Sequence, residues 1–178
     1  MGEVFNIFKK QQFRRERKME DITVFDVAKY LLFSVDESSG SVMTHLKLQK
    51  LCYYTQAWNL VFNNKPMFNS RFEAWMHGPA CPELWREYRE HSWMPIPLIK
   101  DLDTEKFSPE QRETLDFVWE NYGIYDGKYL EDLTHSEPPW INARCGCDPG
   151  DNCTTEITLE SMKEYYSMVW ADGEGERV

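Results

Sequence analysis

Apolar residues recur at helical spacing through most of this chain, and proline, glycine and asparagine mark the breaks between those runs. Val24, Val27, Ala28, Leu31, Leu32 and Val35 fall on one helical stripe behind Asp21, a residue suited to an N-cap, and predict a first helix ending near Asp36. The run Glu37-Ser38-Ser39-Gly40-Ser41 is a turn cluster. Thr44 suits the cap of a second helix running to about Asn63. Its Leu48, Leu51, Cys52, Thr55, Trp58, Leu60 and Phe62 spread over more than one face, so it should lie centrally against several neighbours. Asn63-Asn64-Lys65-Pro66 stops it, because asparagine tolerates left-handed geometry and proline cannot continue a helix. Residues 71–76 alternate polar and apolar and predict a short strand, closed by a turn at His77-Gly78-Pro79. Pro82 suits the first position of a third helix reaching His91, and Pro95 and Pro97 make the next segment extended, with an edge strand at 96–99.

Ser108-Pro109-Glu110-Gln111 is the sharpest local signal, a capping box with proline at the first helical position. That helix should run to Tyr122, be closed by Gly123, and bury Leu115, Val118, Trp119 and Tyr122. A shorter helix over Gly127–Thr134 turns Leu130 and Leu133 inward, and Pro138-Pro139 introduces a short helical piece with Trp140 and Ala143. Residues 145–152 are rich in Gly, Pro and Asp and read as a loop, after which Thr158 caps a last helix carrying Leu159, Met162, Tyr166, Val169 and Trp170. The expected fold is mainly α: a compact single-domain bundle of five to seven helices with at most a short two-stranded β element. Residues 1–18 read as a mobile basic arm, with Met19 as an alternative start; 19–172 read as the helical domain with a loop insertion at 145–153, and 173–178 as an acidic tail.

Charge changes the picture. The chain of 178 residues carries a formal net charge of −10. Residues 1–18 hold six basic and two acidic side chains, hence +4, which leaves −14 on the rest. Such a body repels nucleic acid and anionic membranes, so nucleic-acid binding is expected only through the arm, and basic proteins are its natural partners. No window approaches a membrane span and no apolar leader core precedes the domain; with five cysteines, an odd number, this predicts a cytoplasmic protein without a disulfide framework.

Candidate chemistry is sparse. The four histidines match no metalloprotease or zinc spacing and read as structural hydrogen-bonding groups. Cys81 with His77 is a nucleophile–base pair only by guesswork, four residues apart with Pro79 between them and Pro82 just beyond. Cys145, Cys147 and Cys153, with His135 or Asp148, are weak zinc candidates; CxC lacks the usual spacing, and a free-thiol loop is preferred. Asp148, Asp151 and Asn152 lack the twelve-residue calcium alternation, and no phosphate-binding glycine motif or nucleophile elbow occurs. No cofactor is expected. What remains is a high aromatic content, 15% with 7 Trp. Most of these rings should be core; Trp85, Tyr88 and Trp93 are candidates for contact with a partner.

The segment Met43-Thr44-His45-Leu46-Lys47-Leu48-Gln49-Lys50-Leu51-Cys52-Tyr53-Tyr54 resembles the Panacea antitoxin domain family, which includes phage-associated GepA-like proteins and SocA-type proteolytic adaptors. Two more blocks match in order: Glu73–Pro79 with Pro82-Glu83-Leu84, and Leu133–Trp140 with Ala143-Arg144; a weaker one runs from Ile157 to Tyr166. The likeness covers about residues 21–170 and departs at the Cys145–Cys153 loop and at the basic arm. The resemblance implies a small helical antitoxin, not an enzyme, that neutralises a cognate toxin by direct binding and, in the SocA-like branch, hands it to a ClpXP-type protease. Lys47, Gln49, His77, His135, Glu137 and Arg144, within the shared blocks, are expected either to tie loops together or to line the partner surface. The alternative is a small metal- or cysteine-dependent enzyme using His77, Cys81, His135 and the Cys145 loop.

Overall fold

The computed structural model describes residues 21–175; the basic arm, Met19 and the last three residues of the acidic tail lie outside them. Among the described residues there are seven α-helices and a small three-stranded sheet. Helix α1 (Val24–Phe33) starts at Thr23, not Asp21: the Thr23 hydroxyl accepts from the Asp26 N–H while the Asp26 carboxylate accepts from the Thr23 N–H, which satisfies two orphan donors of the first turn. It ends before Asp36, which instead caps a 3-10 turn over Glu37–Ser39.

Helix α2 (His45–Asn63) has the predicted limits, capped by the Thr44 side chain and closed by Asn64 at φ 54. It is the axis of the fold and packs on every helix from α1 to α7 except the short α6: α1, α3 (Pro82–Tyr88), α4 (Pro109–Tyr122), α5 (Gly127–His135) and α7 (Leu159–Gly175). That position explains why every residue from His45 to Leu60 except Leu46 is buried, including many polar ones. A buried polar group is tolerated when it is hydrogen-bonded, and most of these are, the Tyr53 hydroxyl being without a partner among the described residues. The Gln56 amide accepts from the Met67 N–H and donates to Phe68 O, and Asn59 donates to Lys65 O, so α2 holds its own following loop.

Strand β1 (Phe72–Trp75) pairs antiparallel with β2 (Gly78–Ala80), Glu73 opposite Ala80 and Trp75 opposite Gly78. On its other edge it pairs with β3 (Glu156–Ile157), Phe72 opposite Ile157. The third strand exceeds the two-stranded expectation; with two residues it shows no alternation to read. The segment 96–99 is not a strand: Ile96 makes one backbone bond, to Met43 O, and is otherwise held by burial. Helix α3 is shorter than expected, its last turn tightening into a 3-10 segment over Arg89–His91. The capping box at Ser108 and Gln111 opens α4, and Gly123 closes it in a right-handed conformation. Helix α6 (Pro138–Ala143) follows α5 directly, and α7 extends through the expected tail as far as Gly175.

The core is unusually aromatic. Tyr54 stacks on Tyr122 at 4.1 Å, Trp58 lies against Phe117, Tyr166 and Trp170, and its indole N–H donates to the Tyr122 hydroxyl at 3.0 Å. Four of the seven tryptophans, Trp58, Trp119, Trp140 and Trp170, are buried in or packed against this core. The other three gather elsewhere.

Candidate functional site

The three sequence blocks meet around α2 through buried polar ties. Gln49 points its amide at the residue before α3: Oε1 accepts from the Cys81 N–H at 2.8 Å and Nε2 donates to Cys81 O at 3.2 Å. The second amide hydrogen meets His45 Nε2 at 3.2 Å. Burial, with Lys50 and His91 nearby, holds the His45 imidazole down to about 4, so its Nε2 is a free acceptor at neutral pH. Lys47 donates to Gly123 O at 2.6 Å at the end of α4. Lys50 donates to Pro79 O at 3.0 Å inside β2, and complete burial lowers its ammonium to about 7 against the pull of Glu131.

Gly78 makes the approach of Lys50 possible. It sits at φ 89, and a side-chain carbon there would come within 2.7 Å of both Lys50 Cε and Thr134 Oγ1. The hairpin turn, α2 and α5 therefore meet at a point where only hydrogen fits. His77, next in the turn, is half exposed and places Nδ1 3.2 Å from the buried Glu131 carboxylate, which Lys128 also approaches.

The third block forms a second knot. Glu137, before α6, is buried and accepts from the Tyr166 hydroxyl at 2.6 Å and the Tyr54 hydroxyl at 3.3 Å. Burial outweighs these bonds and raises its carboxyl to about 7. Arg144 donates to Ala74 O at 2.8 Å and, through its other terminal nitrogen, to the carbonyls of Asp148, Pro149 and Asp151. The Trp140 indole donates to Trp75 O at 2.9 Å, and its ring carries His135, stacked at 4.1 Å, together with the Arg144 guanidinium at 5.3 Å. His135 Nε2 is buried without a hydrogen-bond partner among the described residues.

Of the six site residues named from sequence, Lys47, Gln49, Glu137 and Arg144 are therefore buried anchors between elements, His135 is partly covered, and His77 faces solvent. They do not form one constellation: Lys47 binds the α4 end, Gln49 the start of α3, and Glu137 and Arg144 the α6 side. Lys50, His45 and Glu131 were missed by sequence reasoning. The signal that would have found Lys50 is a cation in the middle of a helix that is apolar on several faces.

Beside the first knot lies a cavity of about 360 Å³, bounded by the start of α2, the β1–β2 hairpin, α3 with its 3-10 turn, and Asn152 of the late loop. Trp75, Trp85 and Trp93 line it with His45, Lys50 and His77. Trp85 meets Trp75 edge-on at 5.8 Å and lies under the Arg89 guanidinium at 5.5 Å. Trp93 is 72% exposed, and Met94 and Met76 are exposed as well. Tyr88 is half-buried and turned toward His45 and His91.

The cysteines correct two expectations. Cys147 and Cys153 form a disulfide, so the loop is neither a free-thiol loop nor a three-thiolate zinc site, and only Cys145 of the three is a thiol. Arg144 explains the pairing: by gathering three carbonyls of residues 148–151 it folds the loop back so that its ends meet. No group of three or more metal-ligating side chains occurs among the described residues. Cys81 is buried, and burial pushes its thiol upward, which suppresses the thiolate a nucleophile requires. No helix among the described residues is long and apolar enough to cross a membrane.

No curated protein and no solved structure gives a match to this chain. A family model described as "Antitoxin SocA-like, Panacea domain" does, over residues 48–141, more than half of the chain. The matched stretch contains Gln49 and Lys50, the β1–β2 hairpin, α3 and the Glu137–Trp140 turn, and with them both partners of the Gln49–Cys81, Lys50–Pro79, Tyr54–Glu137 and Trp140–Trp75 ties, and on that match the chain belongs to the SocA-like antitoxin family with a Panacea domain.

Proposed function

We propose that this protein is the antitoxin of a toxin–antitoxin pair and that it neutralises its toxin by binding it at the rim of the tryptophan-lined cavity. Family membership supports the antitoxin role in general. The observation that carries the location is the exposure of Trp85, Trp93 and Met76, three large apolar side chains lining one cavity, with exposed Met94 next to Trp93 in the chain. Exposed indoles at a concave site are the usual anchors of a protein interface, since burying each ring on association removes a large apolar area from water. Tyr88, half-buried behind them, supports the rim rather than forming it. The ties through Lys47, Gln49, Glu137 and Arg144 serve this surface by fixing the hairpin and α3 against α2. The acidic body around the rim attracts a basic toxin at long range, so association should slow as salt is added.

Delivery of the bound toxin to a ClpXP-type protease is the further step that the SocA-like description suggests. It requires that the rim hold the toxin while another face meets the protease.

Co-expression of the neighbouring toxin gene with this chain tests the reading. Growth should be rescued by the wild type and lost with Trp93→Ala combined with Trp85→Ala, while the double variant still unfolds cooperatively. Undiminished rescue by that variant would refute the rim as the binding surface. Faster digestion of the purified toxin by the protease on addition of this protein is the outcome expected of an adaptor; rescue with the toxin left intact means neutralisation alone.

A further inference from the structure

The cavity carries a charge opposite to that of the molecule around it. Among the described residues that line it none is Asp or Glu, while Lys50 and Arg89 do line it, beside the neutral His45 imidazole, in a chain of net charge −10. Lys50 is 1% exposed, and its ammonium makes a single hydrogen bond, to Pro79 O. An ammonium has three donors, so Lys50, lowered by burial to about 7 and cationic below that pH, keeps hydrogen-bonding capacity in reserve at the wall of the cavity. Glu131, the nearest carboxylate to act on it, is engaged by His77 and Lys128. On the outer side, Arg89 lies over the Trp85 ring, and its one carboxylate neighbour, Glu90, is 3.6 Å away and 85% exposed, an ion pair that water screens. The rest of the lining is largely aromatic: Trp75 and Trp85 meet edge-on at 67°, and the exposed Trp93 completes the wall.

We propose that this cavity is a binding site for a small organic anion that carries a planar ring, of the nucleoside monophosphate class. The anionic group is taken between Lys50 and Arg89, where charge-assisted hydrogen bonds replace its hydration. The ring lies against the indoles, which stack on any base without reading its edge. A volume of about 360 Å³ is at the small end of ligand pockets and admits one ring and one anionic group, not a dinucleotide. The site belongs to the free protein and does not depend on the toxin-binding reading.

Titration of the purified full chain, followed by calorimetry and tryptophan fluorescence, tests it with four probes: adenosine 5′-monophosphate, uridine 5′-monophosphate, adenosine, which lacks the anion, and inorganic phosphate, which lacks the ring. At least one monophosphate should bind with a Kd below about 1 mM, with fluorescence quenched. Adenosine and phosphate should each bind at least roughly tenfold more weakly, as expected when one charged contact or one stacked ring is lost. Arg89→Ala, on the surface and outside the core, should weaken the monophosphate by roughly tenfold without changing the thermal midpoint. Lys50→Met should do the same, its fold checked by cooperative unfolding. Three results would overturn the proposal: no binding of either monophosphate at about 5 mM, about a millimolar being the weakest affinity it allows; adenosine binding as tightly as its monophosphate; or an Arg89→Ala affinity equal to the wild type.

Discussion

Glu137 makes stability depend on pH in a direction opposite to that of most carboxylates. Its carboxyl, raised by burial to about 7 from an ordinary 4.5, keeps a proton in the folded protein over a range where the unfolded chain has released it. The folded state then binds more protons than the unfolded one, so this site's contribution is complete below about 4.5, decays as pH rises, and is gone above about 7. At 1.36 kcal/mol per pH unit the whole effect is about 3 kcal/mol. His45, held down to about 4, works the other way: its contribution is lost as pH falls from 6.5 toward 4, and His135, also lowered by burial, adds to that trend. The wild-type profile therefore mixes opposed slopes. Glu137→Gln separates them, because glutamine has nearly the shape of the protonated acid and does not titrate. Urea denaturation of both proteins, followed by tryptophan fluorescence between about pH 4.5 and pH 8, should show the variant gaining about 3 kcal/mol relative to wild type across that interval. A variant-minus-wild-type difference constant to within about 0.5 kcal/mol would show that Glu137 is already ionised in the fold and that Tyr54 and Tyr166 overcome its burial.

Three other expectations concern the ties around α2. Gly78→Ala should cost about 2–4 kcal/mol in denaturant melts, from positive φ and the displacement of Lys50 and Thr134; a midpoint unchanged from wild type would mean that the hairpin turn is free to move. Gln49→Leu should cost about 2–4 kcal/mol, because the Cys81 N–H and C=O lose their partner in the interior, and a loss below about 1 kcal/mol would place water there instead. Thiol titration of the protein denatured without reductant should count three thiols, Cys52, Cys81 and Cys145, rising to five after reduction; five from the start would exclude the Cys147–Cys153 bond.

Element limits were legible where a local device sets them. The Ser108 capping box, the Thr44 cap and the Asn64 stop lie in sequence where they lie in space, because each acts within a few residues. Asp21 failed as a cap for the same reason in reverse: Thr23, two residues on, has Asp26 three positions ahead to complete the reciprocal pair, and Asp21 has only Val24. Strand β3 was hidden because it pairs with a strand from far back along the sequence, and the Cys147–Cys153 pairing because it depends on how Arg144 folds the loop between them. Among site residues, Trp85 and Trp93 could be named as partner candidates and Trp119 as core from its helical stripe, but Trp75, which joins Trp85 and Trp93 in the cavity lining, carried no such mark.

The sequence by itself determined the helical class, the order of the main helices and the family, because periodicity, caps and shared motifs are local properties of the chain. Tertiary structure alone decided what the polar residues of α2 do. Lys47, Gln49 and Lys50 lie within one turn of a helix, yet they reach three different elements, and only the packing of α4, α3 and the hairpin around that turn supplies the carbonyls they hold. The same packing leaves a cation-lined, carboxylate-free hollow in an acidic protein, a contrast that no count of charges along the chain contains.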